Sequence, residues 1–168
     1  MHIQFEATKI YSLAELWMLA PEIVIEELTG AVWESEMALE EAIKDRTPTG
    51  VTSALRDGIY SLPPQVLSGS VIGVTGSPSK YAEPVELGTK PHAVSAEGVD
   101  AIEDWVRLKL GISGEEAQRV ADSVAWKIRM RGTPAAGMCH RGLAYKKDEV
   151  LAGFEAATVR IVQRMGAV

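Results

Sequence analysis

Apolar residues recur along this chain with two different periods, and each change of period marks a new element. Val24, Leu28, Ala31, Val32, Ser35, Ala38, Leu39 and Ala42 return at three- and four-residue spacing. That spacing predicts a long helix over 21–45 with one buried stripe and acidic flanks. Pro21 suits its first turn, Lys44 and Arg46 its last, and Pro48 with Gly50 stops it. Upstream, residues 2–8 alternate loosely, with Ile3 and Phe5 on one face, and read as a short strand. Ser12, followed three residues later by Glu15, forms a capping box for a short helix with Leu13, Leu16 and Trp17 as its apolar face.

Beyond Gly50 the period shortens. After a helical turn at 52–57, two strands are expected near 58–62 and 66–75, with Pro63-Pro64 as their connection. Val66, Ser68, Ser70, Ile72 and Val74 would share one face of the second strand. Gly69 and Gly73 would lie on the other, weakening it or admitting a close neighbour. Residues 76–79 are a loop. Helical spacing then resumes. One helix spans 97–110, with Val99, Ile102, Val106 and Leu110 inward. Ser113, with Glu116 three residues on, opens another that runs to about Arg131, with Ala117, Val120, Val124 and Ile128 as its stripe. Gly132-Thr133-Pro134 ends it. A last helix over 139–165 carries Leu143, Val150, Leu151, Phe154, Ala157, Ile161 and Met165. The fold class is therefore α+β: a small antiparallel sheet packed against a long N-terminal helix and a C-terminal helix, with an inserted helical pair. The 168 residues suit one domain, 1–168, with 93–132 as the helical insertion.

Charge sharpens this picture. Residues 22–46 hold eight acids against Lys44 and Arg46, so this segment carries the entire net charge of −6. That balance argues against a general nucleic-acid binder, which needs a basic stripe. It fits a solvated acidic face, a surface for a basic partner, or a channel wall that must not retain DNA. Lys146, Lys147, Arg160 and Arg164 give the last helix positive character and could reach the acidic helix of the same or a neighbouring subunit. The absence of a basic-apolar leader and of any apolar run of membrane-spanning length points to synthesis in the cytoplasm and no membrane partner.

Candidate chemistry is sparse. The single cysteine, Cys139, excludes an intrachain disulfide. Cys139-His140 stands at a helix start, where a thiolate is favoured, but neighbouring helical residues do not face each other as a dyad. Ser77-Pro78-Ser79-Lys80 has a Ser-x-x-Lys spacing with a proline inside it and neither partner motif of the penicillin-recognising enzymes. His2, His92, His140 and Cys139 lack metal spacing. Glu83 and Glu86 would share a helical face, a pairing better suited to ion pairs across a subunit contact than to acid–base work. No phosphate-binding or dinucleotide glycine pattern occurs. Catalytic residues, cofactor and metal are accordingly expected to be none. Trp33 lies beside the main apolar stripe, where an indole is half exposed in a single chain and available to a subunit contact.

Two segments carry a resemblance: Thr47-Pro48-Thr49-Gly50 with Leu55-Arg56-Asp57, and Tyr81-Ala82-Glu83-Pro84-Val85-Glu86-Leu87-Gly88-Thr89. In this order, between these elements, they resemble the tail-component family of tailed bacteriophages, the head–tail joining or tail-completion proteins of the virion neck. The first segment departs from the family pattern through the residues 51–54 between Gly50 and Leu55. Met138 and Cys139 stand where the family has an aromatic before its last helix. The likeness covers about 1–92 and 134–165.

The resemblance implies a non-enzymatic structural virion protein that forms a homo-oligomeric ring of six or twelve copies around the DNA channel. Such a ring would be located in the virion at the head–tail junction, after assembly in the host cytoplasm. Its partners would be other neck proteins and the tail tube or terminator, with double-stranded DNA only as passing cargo. Interface residues expected on this reading are Arg56, Tyr81, Glu83, Glu86, Gly88, Thr89 and Trp33, with Arg56 pairing Glu86. The alternatives are a tail terminator capping the tube and, from another class, a small cysteine or serine hydrolase using Cys139 or Ser79.

Overall fold

The computed structural model describes the backbone of residues 8–166, and side chains at Met18 and from Ala20 onward. The strand expected over 2–8, with Ile3 and Phe5, lies outside the described residues but for Thr8, and His2 lies outside them altogether. The described chain is mostly helical: α1 (Thr8–Arg46), α2 (Ala54–Asp57), β1 (Tyr60–Leu67), β2 (Ser70–Gly76), α3 (Ala82–Leu87), α4 (Ala96–Leu110), α5 (Glu115–Arg131) and α6 (Met138–Gly166). The expected α+β class holds, with a two-stranded antiparallel sheet packed against the long N-terminal and C-terminal helices.

The two helices expected on either side of Pro21 are one. Pro21 lies inside α1. A proline removes one N–H and crowds the carbonyl four residues back, which costs roughly 3 kcal/mol. A helix of 39 residues keeps its remaining hydrogen bonds and absorbs that loss.

Contacts divide the chain into two compact units, and α1 and α6 each contribute to both. The first unit holds α1 as far as Leu39, the hairpin from Ser61 to Thr75, and α6 from Lys146. Ala31 and Val32 are buried in it, as the stripe predicts. Its hairpin turns at Ser68-Gly69, where both residues take positive φ, 49° and 81°. That is the geometry of a tight primed turn, which matches strand twist. Pro63-Pro64 is therefore part of β1 and not its connection. Two strands leave two open edges, and alternate residues point their N–H outward, so at most one of two adjacent prolines forfeits a ladder bond.

Gly73 of β2 does admit a close neighbour. A Cβ there would lie 2.6 Å from the Glu36 carboxyl and 2.7 Å from Val32 Cγ1 of α1. Ser61 fastens the same face, donating to the Glu36 carbonyl at 3.2 Å and sharing a hydrogen bond with Thr75 at 2.9 Å. α6 is tied to α1 by charge: Arg160 Nε meets Glu27 at 2.6 Å, and Arg164 meets Glu27 at 2.9 Å and Glu26 at 2.8 Å. The same-chain option for these two arginines is thus realised.

The second unit runs from Glu40 to Tyr60 and from Gly76 to Tyr145. Ile43, Ile59 and Met138 form its buried centre, with Leu55, Ala82, Val85 and Cys139 against them. α1 and α6 touch closely here, since a Cβ on Gly142 would meet Ile43 Cγ1 at 2.8 Å. α4 and α5 pack as a pair through Val106, Ala117 and Ala121. Ser95 caps α4 by accepting the Gly98 amide at 3.2 Å. The capping box expected of Ser113 does not form: Gly114, at φ 66° and ψ −150°, is the N-cap and makes no side-chain cap bond. The inward role expected of Leu110 fails, because it is exposed, and Leu143 and Leu151 among the apolar residues of the last helix are exposed too. On α6, Met138, Gly142 and Ala157 are buried, and Val150, Phe154, Ile161 and Met165 of the expected set are half-buried. Among the described residues, no helix is long and apolar enough to cross a membrane.

Candidate functional site: a Gly-Thr clasp and its exposed helix

The segment from Tyr81 to Thr89 is mostly an internal fastener. α3 presents its last carbonyls to the chain that leads into α6: Ala136 donates to Val85 O at 2.8 Å and Gly137 to Glu86 O at 3.1 Å. The Glu86 carboxylate then takes the free amides of the first turn of α6, Cys139 N–H at 2.8 Å and His140 N–H at 3.1 Å. A carboxylate at a helix N-terminus satisfies orphan donors and complements the macrodipole. Both Glu86 oxygens are thus engaged within the chain.

Thr89 completes the clasp with Thr133. Its amide donates to Thr133 O at 3.0 Å, the Thr133 amide donates to Thr89 Oγ1 at 3.0 Å, and the hydroxyls lie 2.9 Å apart. Each threonine follows a glycine: Gly88 at φ 74° and ψ 178°, Gly132 at φ 71° and ψ −165°. That region of backbone space is open essentially to glycine alone. Neither position has room for a side chain, because a Cβ on Gly88 would strike the Thr133–Ala135 backbone and one on Gly132 the Thr89 carbonyl. The antiparallel bridge of Thr89 with Thr133 closes the base of α4 and α5. The helical pair therefore leaves and rejoins the chain at one point.

The other expected site residues fall as follows. Arg56 pairs with Asp45 at 3.5 Å and not with Glu86. Tyr81 is exposed, with the Lys80 ammonium 5.4 Å from its ring centre. Glu83 and Glu86 both border an apolar cavity of about 280 Å³ formed by Ile43, Ile59, Ala82, Leu87, Met138 and Cys139. Trp33 is exposed on α1, in the other unit.

The catalytic alternatives meet a different chemistry from the one their sequence suggests. Burial, and then the nearby Glu86 carboxylate, push the Cys139 thiol above its ordinary value. The helix start alone would favour a thiolate, but burial first and the capping carboxylate second reverse the sign. Ser77 and Ser79 are spent on the loop: Ser77 Oγ accepts the Ser79 amide and Ser79 Oγ the Tyr81 amide, each at 3.3 Å. His92 Nδ1 lies 2.9 Å from the Lys90 carbonyl. Among the described residues, no three His, Cys, Asp or Glu side chains gather where they could hold a metal ion.

One buried group escaped sequence reasoning. Glu36, expected on the acidic flank, is only 4% exposed. Neither carboxyl oxygen has a hydrogen-bond partner of sound geometry, although the Val74 amide lies toward it. Burial raises its pKa above the ordinary carboxylate value, more than the Val74 amide lowers it. Gly73 was the available signal, since a glycine inside a strand marks close approach.

Comparison of the chain with family models, with characterised proteins and with solved structures yields no match.

Proposed function

We propose that this chain is a structural subunit that acts by assembling with copies of itself, without bond-making chemistry, and that the assembly is a ring at the head–tail junction of a tailed phage. The observation that carries self-assembly is the outer face of the hairpin. Ile72, Val74 and Leu67 are exposed on a sheet of two strands with open edges. Such a sheet gains little stability by itself, and its unpaired edges and apolar face favour pairing with another chain. Trp33 and Met37 add exposed apolar surface on α1.

Placement in the virion comes from the motif resemblance. On this reading the copies number six or twelve, the neighbours are other neck proteins with the tail tube or terminator, and DNA passes through without being held. The exposed acids Glu22 and Glu34, which form no ion pair among the described residues, suit a surface that repels passing DNA or meets a basic neighbour. The test is the solution mass of the purified protein by analytical ultracentrifugation, followed by electron microscopy. Annular particles of uniform copy number are expected. A monomer at every concentration reached would end the proposal.

A further inference from the structure

Two helices carry the same exposed pair with opposite charge. In α1, Trp33 and Met37 stand one turn apart, 40% and 47% exposed. In α5, Trp126 and Met130 repeat that spacing, 64% and 56% exposed. Residues four apart on a helix form one contiguous patch. The residue after the first tryptophan is Glu34, which has no ion-pair partner among the described residues. After the second comes Lys127, followed by Arg129 and Arg131, all exposed and equally without ion-pair partners among the described residues. One acid, Asp122, lies within the α5 patch.

Gly30 supplies an independent observation. It lies one turn before Trp33 and Glu34 on the same exposed line, inside a helix. A Cβ there would meet nothing within 4 Å, and its φ is not positive. Glycine weakens a helix interior, and nothing inside the described chain requires one here. A bare backbone at an exposed position lets a second helix approach closely.

We infer that the α5 face of one copy docks on the α1 face of the next, in a head-to-tail contact. In an antiparallel crossing, Trp126 lies on Met37 and Met130 on Trp33, so each indole meets a thioether. Lys127 and Arg131 then have Glu34 as counter-charge, and Gly30 gives clearance where α5 ends at Arg131. Because the two patches differ, the contact propagates from copy to copy instead of closing as a symmetric pair. The inference takes its occupant, a second copy, from the self-assembly reading, and it adds which surfaces meet.

The test is sedimentation of the full-length chain. Gly30→Gln, which disables the α1 side, is expected to raise the unfolding midpoint of the chain while shifting assembly to at least tenfold higher concentration. Trp126→Ser disables the α5 side and is expected to shift assembly equally. Mixed in equal amounts, the two variants restore one competent α5–α1 contact and should associate at lower concentration than either variant alone. If either variant assembles like the parent protein, these surfaces are the wrong ones while the self-assembly reading stands. If the parent protein stays monomeric, both fall.

Discussion

The Glu86 carboxylate accepts the Cys139 amide at 2.8 Å, joining the most distinctive motif of the sequence to the start of its last helix. A second bond to the His140 amide makes Glu86 an N-terminal cap delivered from another element. The motif is thus first a fold-holding device, and any role at a subunit contact falls to its exposed members, among them Tyr81, Glu83 and Leu87.

Substituting Glu86 should therefore cost stability in the single chain. Glu86→Ala leaves two amides uncapped, and a loss of about 1–2 kcal/mol is expected. Glu86→Arg should cost more, since it also sets a cation at the positive end of the helix. Urea unfolding of both variants measures this. Parent-like stability in Glu86→Arg would mean that the cap is not engaged.

Cys139 should be a slow thiol. Its raised pKa leaves little thiolate at neutral pH, so alkylation is expected to lag behind that of a free cysteine. Burial is the larger cause and Glu86 the second, so Glu86→Gln should speed labelling without reaching the free rate. Rates with a small alkylating reagent across the neutral to mildly alkaline range decide the matter.

The two classes of positive-φ glycine should separate by cost. Gly69 turns the hairpin at φ 81°, and a Cβ there would meet nothing within 4 Å. Gly69→Ala therefore meets backbone strain alone, about 1–2 kcal/mol. Gly132→Ala meets that strain and the Thr89 carbonyl as well. Its cost should exceed that of Gly69→Ala clearly, with exchange protection lost at the Thr89 and Thr133 amides. Hydrogen exchange with denaturant unfolding tests both parts.

Glu36 gives the chain a pH signature of defined sign. Its folded pKa lies above the ordinary value of 4.5, so the folded state holds the proton more tightly than the unfolded state. Stability from this group is greatest below 4.5 and is lost as pH rises through the folded value. Glu36→Gln removes the ionisation, so it should be more stable than the parent protein at neutral pH. That advantage should shrink as pH falls toward 4.5 and then level off. Unfolding of both proteins from mildly acidic to neutral pH checks this, and an advantage independent of pH would contradict the burial of an ionisable carboxyl.

Periodicity alone located α4, α5, α6 and the buried stripe of α1, because a helix facing a core repeats its apolar residues wherever that core lies. The stop at Pro48 and Gly50 and the exit from α5 at Gly132 were equally legible, since those residues limit the local backbone whatever surrounds them. The clasp was half legible. Its residues stood out in sequence, but the partner of Thr89 lies 44 residues away and no local rule names it.

Most of the helices, the acidic balance of α1 and the glycines that end or turn the backbone could thus be read from the order of residues, since each follows from local geometry or composition. It took the folded chain to reveal that Glu36 is buried over Gly73, that Glu86 caps α6, and that Pro63-Pro64 lies within a strand. Each of those depends on which distant segment arrives as neighbour, and chain-distant contacts leave no periodic trace.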